Sequence, residues 1–356
     1  MSFHTLFLLC CGTLPLLSAH ADTLSFSTRA EAFSDPVSID AFTSGWHDQL
    51  SPGDDAALHA RMELRNDHGP WHVAWRWRYD YQLEFSPGTA ELYHAVQNHL
   101  PVEAGRRYPL DIRAYHVERH GPAIGYRVER QPFQLELSLI LYQGLELIDG
   151  QTQGHAAFVS EQPASDQLND LLMHVNYRYS APELHEEELD WNPKSPDGWG
   201  YGLDVTAQWL LPTGTRLNLQ VDDLIGAMRW RKTPETVIDL RCDCTLPDYD
   251  LNGGLAIRRQ YTQRLKPLLE FTAQHPLTDH WQLHARLLND TWLTSHQFGI
   301  LHQRQSRQFG VWYEPAYRAW RLSYEQPHVR LSWTADNLDT SEAHRLGVDI
   351  ALFSHW

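Results

Sequence analysis

Between Trp71 and Phe85 the chain alternates for fifteen residues without a break. Trp71, Val73, Trp75, Trp77, Tyr79, Tyr81, Leu83 and Phe85 share one parity, and His72, Ala74, Arg76, Arg78, Asp80, Gln82 and Glu84 share the other. A period of two is the signature of a strand. At roughly 3.3 Å per residue such a strand rises about 50 Å, whereas an ordinary globular strand has about five or six residues. A tilted strand of about 9 to 11 residues crosses a bilayer. One face carries three Trp and two Tyr with no charge, and the other carries Arg, Arg, Asp and Glu. A row of large rings is hard to pack in a sandwich core and easy to place against lipid and headgroups. The pattern therefore predicts aromatics facing a membrane and charges facing a polar lumen.

The same rhythm recurs along the chain. Leu58, Ala60, Met62 and Leu64 alternate with His59, Arg61, Glu63 and Arg65, and Asn66-Asp67-His68-Gly69-Pro70 is a turn by its residue types. Strand-like segments follow at 111–119, 122–130, 133–143, 145–149, 154–160, 171–179, 199–211 and 217–221. More follow at 226–232, 236–243, 254–262, 266–275, 281–289, 297–303, 308–314, 317–325 and 328–335. Pro212-Thr213-Gly214 joins two of them as a tight hairpin. The expectation is an all-β, antiparallel transmembrane β-barrel over residues 56–356, with about 14 strands and a range of about 12 to 16. One short helix is expected near 89–100, between Pro87 and Pro101, as a plug or against the rim. Residues 22–55 are polar without a sustained period and read as a leader or plug segment.

The N-terminus carries an apolar run, Leu6 to Cys11 and Leu14 to Leu17, followed by Ser18-Ala19-His20-Ala21. Small residues at the two positions of an A-x-A site predict a secretory signal cut after Ala21, so that Asp22 opens the mature chain. Mean hydropathy is −0.48, which does not argue against a membrane, because a barrel shows lipid only every second residue. The net charge of −16 disfavours nucleic acid as a partner. Fourteen Trp and 15 Tyr suit interfacial girdles, though a glycan-binding β-sandwich would also be rich in Trp.

The last twelve residues alternate again: Leu346, Val348, Ile350, Leu352, Ser354 and Trp356 against Arg345, Gly347, Asp349, Ala351, Phe353 and His355. This resembles the C-terminal strand of Gram-negative outer-membrane β-barrels, which ends on an aromatic residue preceded by apolar alternate positions. Ser354 departs from that pattern, where the class has a bulkier residue. The resemblance implies a monomer in the outer membrane, with lipid and lipopolysaccharide around it. It also implies that the barrel-assembly machinery reads Val348, Ile350, Leu352 and Trp356. As the closing strand this segment is expected to pair near Leu58–Arg65. Val221-Asp222-Asp223-Leu224-Ile225-Gly226 and Ala335-Asp336-Asn337-Leu338 are similar to Asp/Asn-Leu turn pieces of TraF-type and other proteobacterial barrels.

No constellation for catalysis stands out. G-x-S-x-G, H-E-x-x-H and phosphate-cradling glycine loops are absent. His116 and His120 would lie about 13 Å apart on one side of a strand, too far to share a metal. Cys242 and Cys244 are too few for a zinc site, and one intervening residue leaves open a strained bridge or free thiols. No metal and no cofactor is expected. Charge does recur on the polar parity, and Arg61, Arg65, Arg76, Arg78, Asp80, Glu84, Arg127, Arg216, Arg258 and Arg286 are the lumen-facing candidates, with Glu136, Asp204 and Glu270 among their counter-charges. They would form a salt-bridge network or a solute-selecting field. Residues 181–198 form a long acidic segment, read as a solvated outer loop, with bridging of divalent cations at the lipopolysaccharide surface as the alternative. The expected function is a non-enzymatic outer-membrane barrel, either a channel for small polar solutes or a surface-assembly component. The alternatives are a lipid-modifying enzyme with a Ser or His site at the membrane rim, and a secreted glycan-binding β-sandwich.

Overall fold

The computed structural model describes residues 23–355 apart from 164–166, 183–185, 187–189, 245–247 and 292. The expected signal segment and Trp356 lie outside the described residues. The strands are β1 (Thr23–Ser34), β2 (Asp55–His68), β3 (Trp71–Phe85), β4 (Tyr108–Arg130), β5 (Phe133–Phe158), β6 (Leu168–Tyr179), β7 (Asp197–Leu210) and β8 (Arg216–Asp243). They continue as β9 (Asp248–Arg264), β10 (Leu268–Pro276), β11 (Trp281–Asn289), β12 (Thr294–Arg304), β13 (Arg307–Glu314), β14 (Ala319–Gln326), β15 (Val329–Ala335) and β16 (Arg345–His355). Fourteen of them, all but β6 and β9, close into one antiparallel ring. A closed ring removes the sheet edges that lipid could not hydrate. The single closed sheet also replaces the two-sheet sandwich kept as an alternative.

The ring closes between β1 and β16, with Thr23 opposite His355 and Phe33 opposite Arg345. This corrects two expectations. The partner of the last strand is β1, and the strand near Leu58–Arg65 lies one place further on as β2. The 22–55 segment is neither leader nor plug: Thr23–Ser34 is a wall strand, and α1 (Ile39–Ser44) lies in the connection that follows. Ser38 caps α1 by accepting from the Ala41 amide at 3.1 Å, and Gly45, at φ 117°, ends it in the left-handed region. The expected helix is α2 (Pro87–Gln97), with Ser86 as its N-cap and Pro87 in its first turn.

Side-chain exposure follows the predicted parity. Trp71, Val73 and Trp75 on β3 point outward, while His72, Arg76, Arg78 and Gln82 are buried within. Around the ring an exposed apolar band includes Ile124, Leu137, Leu139, Leu283, Ile300, Val311 and Leu322. Exposed rings edge it towards the short turns at Trp71, Tyr126, Phe133, Trp209, Trp281 and Phe309, and towards the long connections at Trp199, Tyr201 and Trp320. From Trp71 to Tyr79 a strand of this tilt covers the roughly 25 Å of a lipid-facing belt.

Several segments read as separate strands are continuous. Residues 111–130 lie within β4, 133–158 form β5 and 217–243 lie within β8. His120-Gly121-Pro122, where the sequence reading breaks between 111–119 and 122–130, is strand, and Gly121 is required there because a Cβ would run into the Leu141 carbonyl. Val221–Gly226 likewise lies inside β8, so its likeness to a turn piece fails. Between Glu118 and Arg119 the β4–β5 register slips by one residue. Below the slip Leu137, Leu139 and Leu141 face out, whereas above it Ile148 lies on the outward face and Leu147 is buried inside.

Above the slip, β4, β5 and β8 run on past the ring and with β6 and β9 build a wall outside the membrane. Where the ring meets this wall, the inner face packs Tyr115, Val117, Ile140, Tyr142, Leu147, Met228 and Trp230. Gly144 and Gly198 admit the Trp230 ring, because a Cβ at either would collide with it. The Trp230 indole N–H donates to Gln263 at 3.1 Å. On the outer face Glu186 is buried against the wall, accepting from the Tyr177 hydroxyl and from Thr236 at 2.9 Å. That part of the acidic segment is therefore packed and not solvated. Cys242 and Cys244 are disulfide-bonded at the far end of β8.

Candidate functional site: a bridged lumen and an apolar rim pocket

The inward face carries a buried network of ion pairs. Arg29 on β1 meets Glu270 on β10, half the circumference away, and donates to Asp349 at 3.0 Å. Arg61 on β2 meets Asp222 on β8. Arg65 forms a two-bond fork to Glu136 at 2.7 and 2.8 Å. Arg76 and Arg78 on β3 share Asp204 on β7, and Arg78 also reaches Asp223 at 2.7 Å. Asp80 accepts from Arg119 at 2.7 Å, and its other oxygen meets His59 at 2.9 Å. Arg286 joins Glu270 at 2.9 Å and Glu31 at 2.6 Å, and Arg345 joins Glu31 at 2.8 Å and Glu314 at 3.0 Å.

Charges taken from water persist only when paired and hydrogen-bonded. Some of these pairs, Arg29–Glu270 and Arg286–Glu31 among them, reach across the lumen, whereas Arg286–Glu270, Arg345–Glu31 and Arg119–Asp80 join neighbouring strands and stiffen the wall. What remains between them is a polar cavity of about 220 Å³, bounded by Arg61, Arg65, Arg76, Glu136, Asp204 and Asp222.

Of the residues singled out from sequence, Arg61, Arg65, Arg76, Arg78, Asp80 and Arg286 come together in this network. Four do not. Glu84 meets Arg113 at 3.3 Å at the outer rim, both half-exposed. Arg127 lies at the short-turn end, near Asp67 at 3.8 Å and Glu129 at 3.4 Å. Arg216 is exposed at the start of β8. Arg258 sits on β9, outside the ring, and donates to Glu235 at 2.6 Å. Its alternation was read correctly, but a period of two cannot say whether a strand belongs to the ring. Arg29, Glu31, Arg119, Asp222, Asp223, Glu314, Arg345 and Asp349 also belong to the network, and the sequence pattern alone does not single them out as lumen residues. Val348 and Leu352 are exposed on the outer face of β16.

The second feature lies at the outer rim. On β3 the outward row continues past Tyr79 to Tyr81, Leu83 and Phe85, and Ile112, Ala114, Ile148 and Gly150 extend that face across β4 and β5. The two helices fold over it. Trp46, after α1, packs edge-on to Phe85 and to Tyr93 of α2, with ring centroids at 5.8 and 5.0 Å. Thr89 ties α2 to β4 by donating to the Pro109 carbonyl at 2.9 Å and accepting from the Asp111 amide at 2.9 Å. Helices and sheet enclose a largely apolar cavity of about 450 Å³, with Phe42, Trp46, Tyr81, Phe85, Tyr93 and Tyr177 among its walls. That volume falls within the usual range for small-molecule sites.

Beside it, Asp35, Asp54 and Asp55 place one carboxylate oxygen each within 4.8 Å of one another, the one grouping among the described residues that could hold a cation. Burial, then the neighbouring Asp54 and Asp35 charges, push the Asp55 carboxyl up to about 7. A carboxyl raised above its unfolded value favours the fold most at low pH, and that advantage is lost as pH rises towards 7. Acidification from pH 8 to 6 is therefore expected to slow proteolysis of the 35–55 connection, and Asp55→Asn to flatten the response; an unchanged response in the variant would refute the assignment.

His116, at the outer membrane edge, bears on the lipid-modifying alternative. Its Nδ1 lies 3.0 Å from the Asp80 carbonyl and its Nε2 3.5 Å from Glu146, with the Tyr79 and Tyr81 rings tilted against it. Among the described residues no serine or cysteine is hydrogen-bonded to it.

No family model and no curated protein matches the chain. Solved barrels do resemble it. The Pseudomonas putida toluene transporter TodX aligns over 95% of this chain and 91% of its own, with TM-score 0.46 and 10% identity. The monoaromatic hydrocarbon channel CymD aligns over 94% and 89%, with TM-score 0.44 and 9% identity. A Pseudomonas aeruginosa FadL homologue aligns over 93% and 88%, with TM-score 0.30 and 10% identity. At these scores the likeness carries no argument, and the barrel rests on the chain's own strand pairing.

Proposed function

We propose that this protein is a non-enzymatic outer-membrane barrel that takes hydrophobic small molecules into the apolar pocket at its outer rim. The observation that carries this is the aromatic-walled cavity of about 450 Å³ on the outward face directly above the lipid belt. A polar solute would gain nothing from such a surface, whereas each apolar surface withdrawn from water favours binding by roughly 25 cal/mol per Å². The bridged lumen argues against the small-polar-solute channel expected from sequence, because Arg29–Glu270 and Arg61–Asp222 occupy the bore.

Two measurements test this reading. The purified barrel is expected to enhance the fluorescence of N-phenylnaphthylamine saturably, and Ala114→Phe, which fills the cavity, to lower that affinity at least about tenfold. In a planar bilayer the protein is expected to show no steady conductance of small ions. Unsaturable probe uptake, or an open porin-like conductance, would overturn the proposal.

Lipid, lipopolysaccharide and the assembly machinery enter as partners on the same footing. We read Val348, Ile350, Leu352 and Trp356 as the assembly signal. Deleting Trp356 is expected to reduce the outer-membrane level severalfold more than Tyr79→Ala does, by quantitative blotting of membrane fractions; equal levels would remove the role.

A further inference from the structure

The strand register lays out the floor of the rim pocket residue by residue. Leu83, Ala114, Gly150 and Tyr177 form one row across β3, β4, β5 and β6. Ile112 and Thr152 flank the middle of that row on one side, and Ile148 on the other. Ala114 and Gly150 are therefore the small centre of a patch with larger side chains around it. At Gly150 the neighbouring strand enforces this, because a Cβ would collide with Tyr177. Two adjacent strands lie roughly 4.8 Å apart, so this flat place has about the width of one six-membered ring. Over and around it stand Phe42, Trp46, Tyr81, Phe85, Tyr93 and Tyr177, all aromatic.

Polarity narrows what fits. Among the described residues no charged side chain and no histidine lines the cavity, so an ionised ligand would lose its water without gaining a counter-charge. Two of the lining hydroxyl groups are committed, Thr89 to the Pro109 carbonyl and Tyr177 to Glu186. Gln151 alternates to the other face of β5. Thr152 shares the pocket face with Ile148 and Gly150 and is half-buried, and its hydroxyl bonds to no described residue. It is a polar group set into an apolar wall, the arrangement that orients a ligand in most small-molecule sites.

We propose that the pocket selects a neutral, planar aromatic molecule bearing a hydroxyl group over the corresponding hydrocarbon, and that Thr152 makes the distinction. This rests on the reading of the cavity as a site for hydrophobic small molecules. The ligand's ring lies over Ala114 and Gly150, where the surrounding aromatic side chains meet its edge and face. Its hydroxyl shares a hydrogen bond with Thr152, two residues and roughly 7 Å along β5 from Gly150. Fused rings, or one ring with a short arm, span that distance. A hydrocarbon in the same place strips water from the Thr152 hydroxyl and offers no replacement, so the penalty falls on the ligand without the hydroxyl.

The test is displacement of N-phenylnaphthylamine from the full-length protein in lipid nanodiscs at pH 7, with empty nanodiscs setting the free concentrations. The competitors are 2-naphthol, naphthalene, 2-naphthoate and 1-decanol. Naphthol is expected to displace the probe at about one tenth of the concentration naphthalene needs, and naphthoate and decanol to need more than naphthol. In Thr152→Val, which keeps the side chain's shape, the preference for naphthol over naphthalene is expected to fall to about twofold or less. Equal displacement by naphthol and naphthalene, a readout that needs no variant, would overturn the proposal and leave the pocket reading in place. So would a preference that survives in Thr152→Val, or decanol or naphthoate matching naphthol. A probe that does not bind saturably would remove the pocket reading and this selectivity together.

Discussion

Asp204→Ala is expected to destabilise the barrel by about 3–5 kcal/mol, the cost of leaving buried charges without their counter-ion. Asp204 accepts from both Arg76 and Arg78 and also from the Asp223 amide at 2.8 Å, so its removal strips three donors at once. The midpoint of heat-modifiable migration should fall accordingly. The same change opens the centre of the bridged bore, and ion conductance absent from the parent should appear in a planar bilayer. Removing the cations too, in Asp204→Ala with Arg76→Met and Arg78→Met, is expected to recover part of the stability while keeping the conductance. A variant of unchanged stability that stayed silent would show that the network neither holds nor seals the barrel.

The second large effect lies where the ring meets the outer wall. Trp230 is fully buried, and Trp230→Ala is expected to cost about 3–5 kcal/mol through lost burial and the cavity left behind. Gly198→Ala should cost about 1–3 kcal/mol for the opposite reason, because its Cβ has no room beside the ring. The double variant should cost less than the sum, since the added methyl enters the space the indole vacated. Denaturant titration followed by limited proteolysis of the wall measures all three. Additive costs would mean that the glycine and the indole are not coupled.

Much of the architecture was legible because lipid imposes a strict alternation. Trp71–Phe85 and Phe133–Leu141 announced themselves through bulky residues on one parity. β1 was missed because its outward positions, Leu24, Phe26, Thr28, Ala30 and Ala32, fade into small residues. The alternation was present, with Arg29 and Glu31 on the other parity, but without bulk it resembled a polar leader. Half of the network was found for a related reason: strands disclose which residues face inward, and only closure discloses which of them meet. Asp222 and Asp223 resemble a turn piece in sequence, yet they sit at the centre of the bridges because a register shift in β8 turns both towards buried partners. The rim pocket had no sequence signal. Its walls come from two connections and two strands, and helices as short as α1 leave almost no periodicity.

The register slip between Glu118 and Arg119 has one more consequence. It resets the phase of β5 where the chain leaves the bilayer, so one uninterrupted strand obeys two opposite hydrophobic codes. Below the slip, substitutions answer to lipid on the odd positions; above it they answer to helix α2 and the pocket on the even ones. Restoring regular alternation by deleting Leu145 would leave the membrane half of the strand unchanged and turn the outer half inside out, exposing Leu147 and burying Glu146. The single extra residue thus insulates the two halves from each other, and lets the outer surface change its binding chemistry while the wall in the membrane stays as it is.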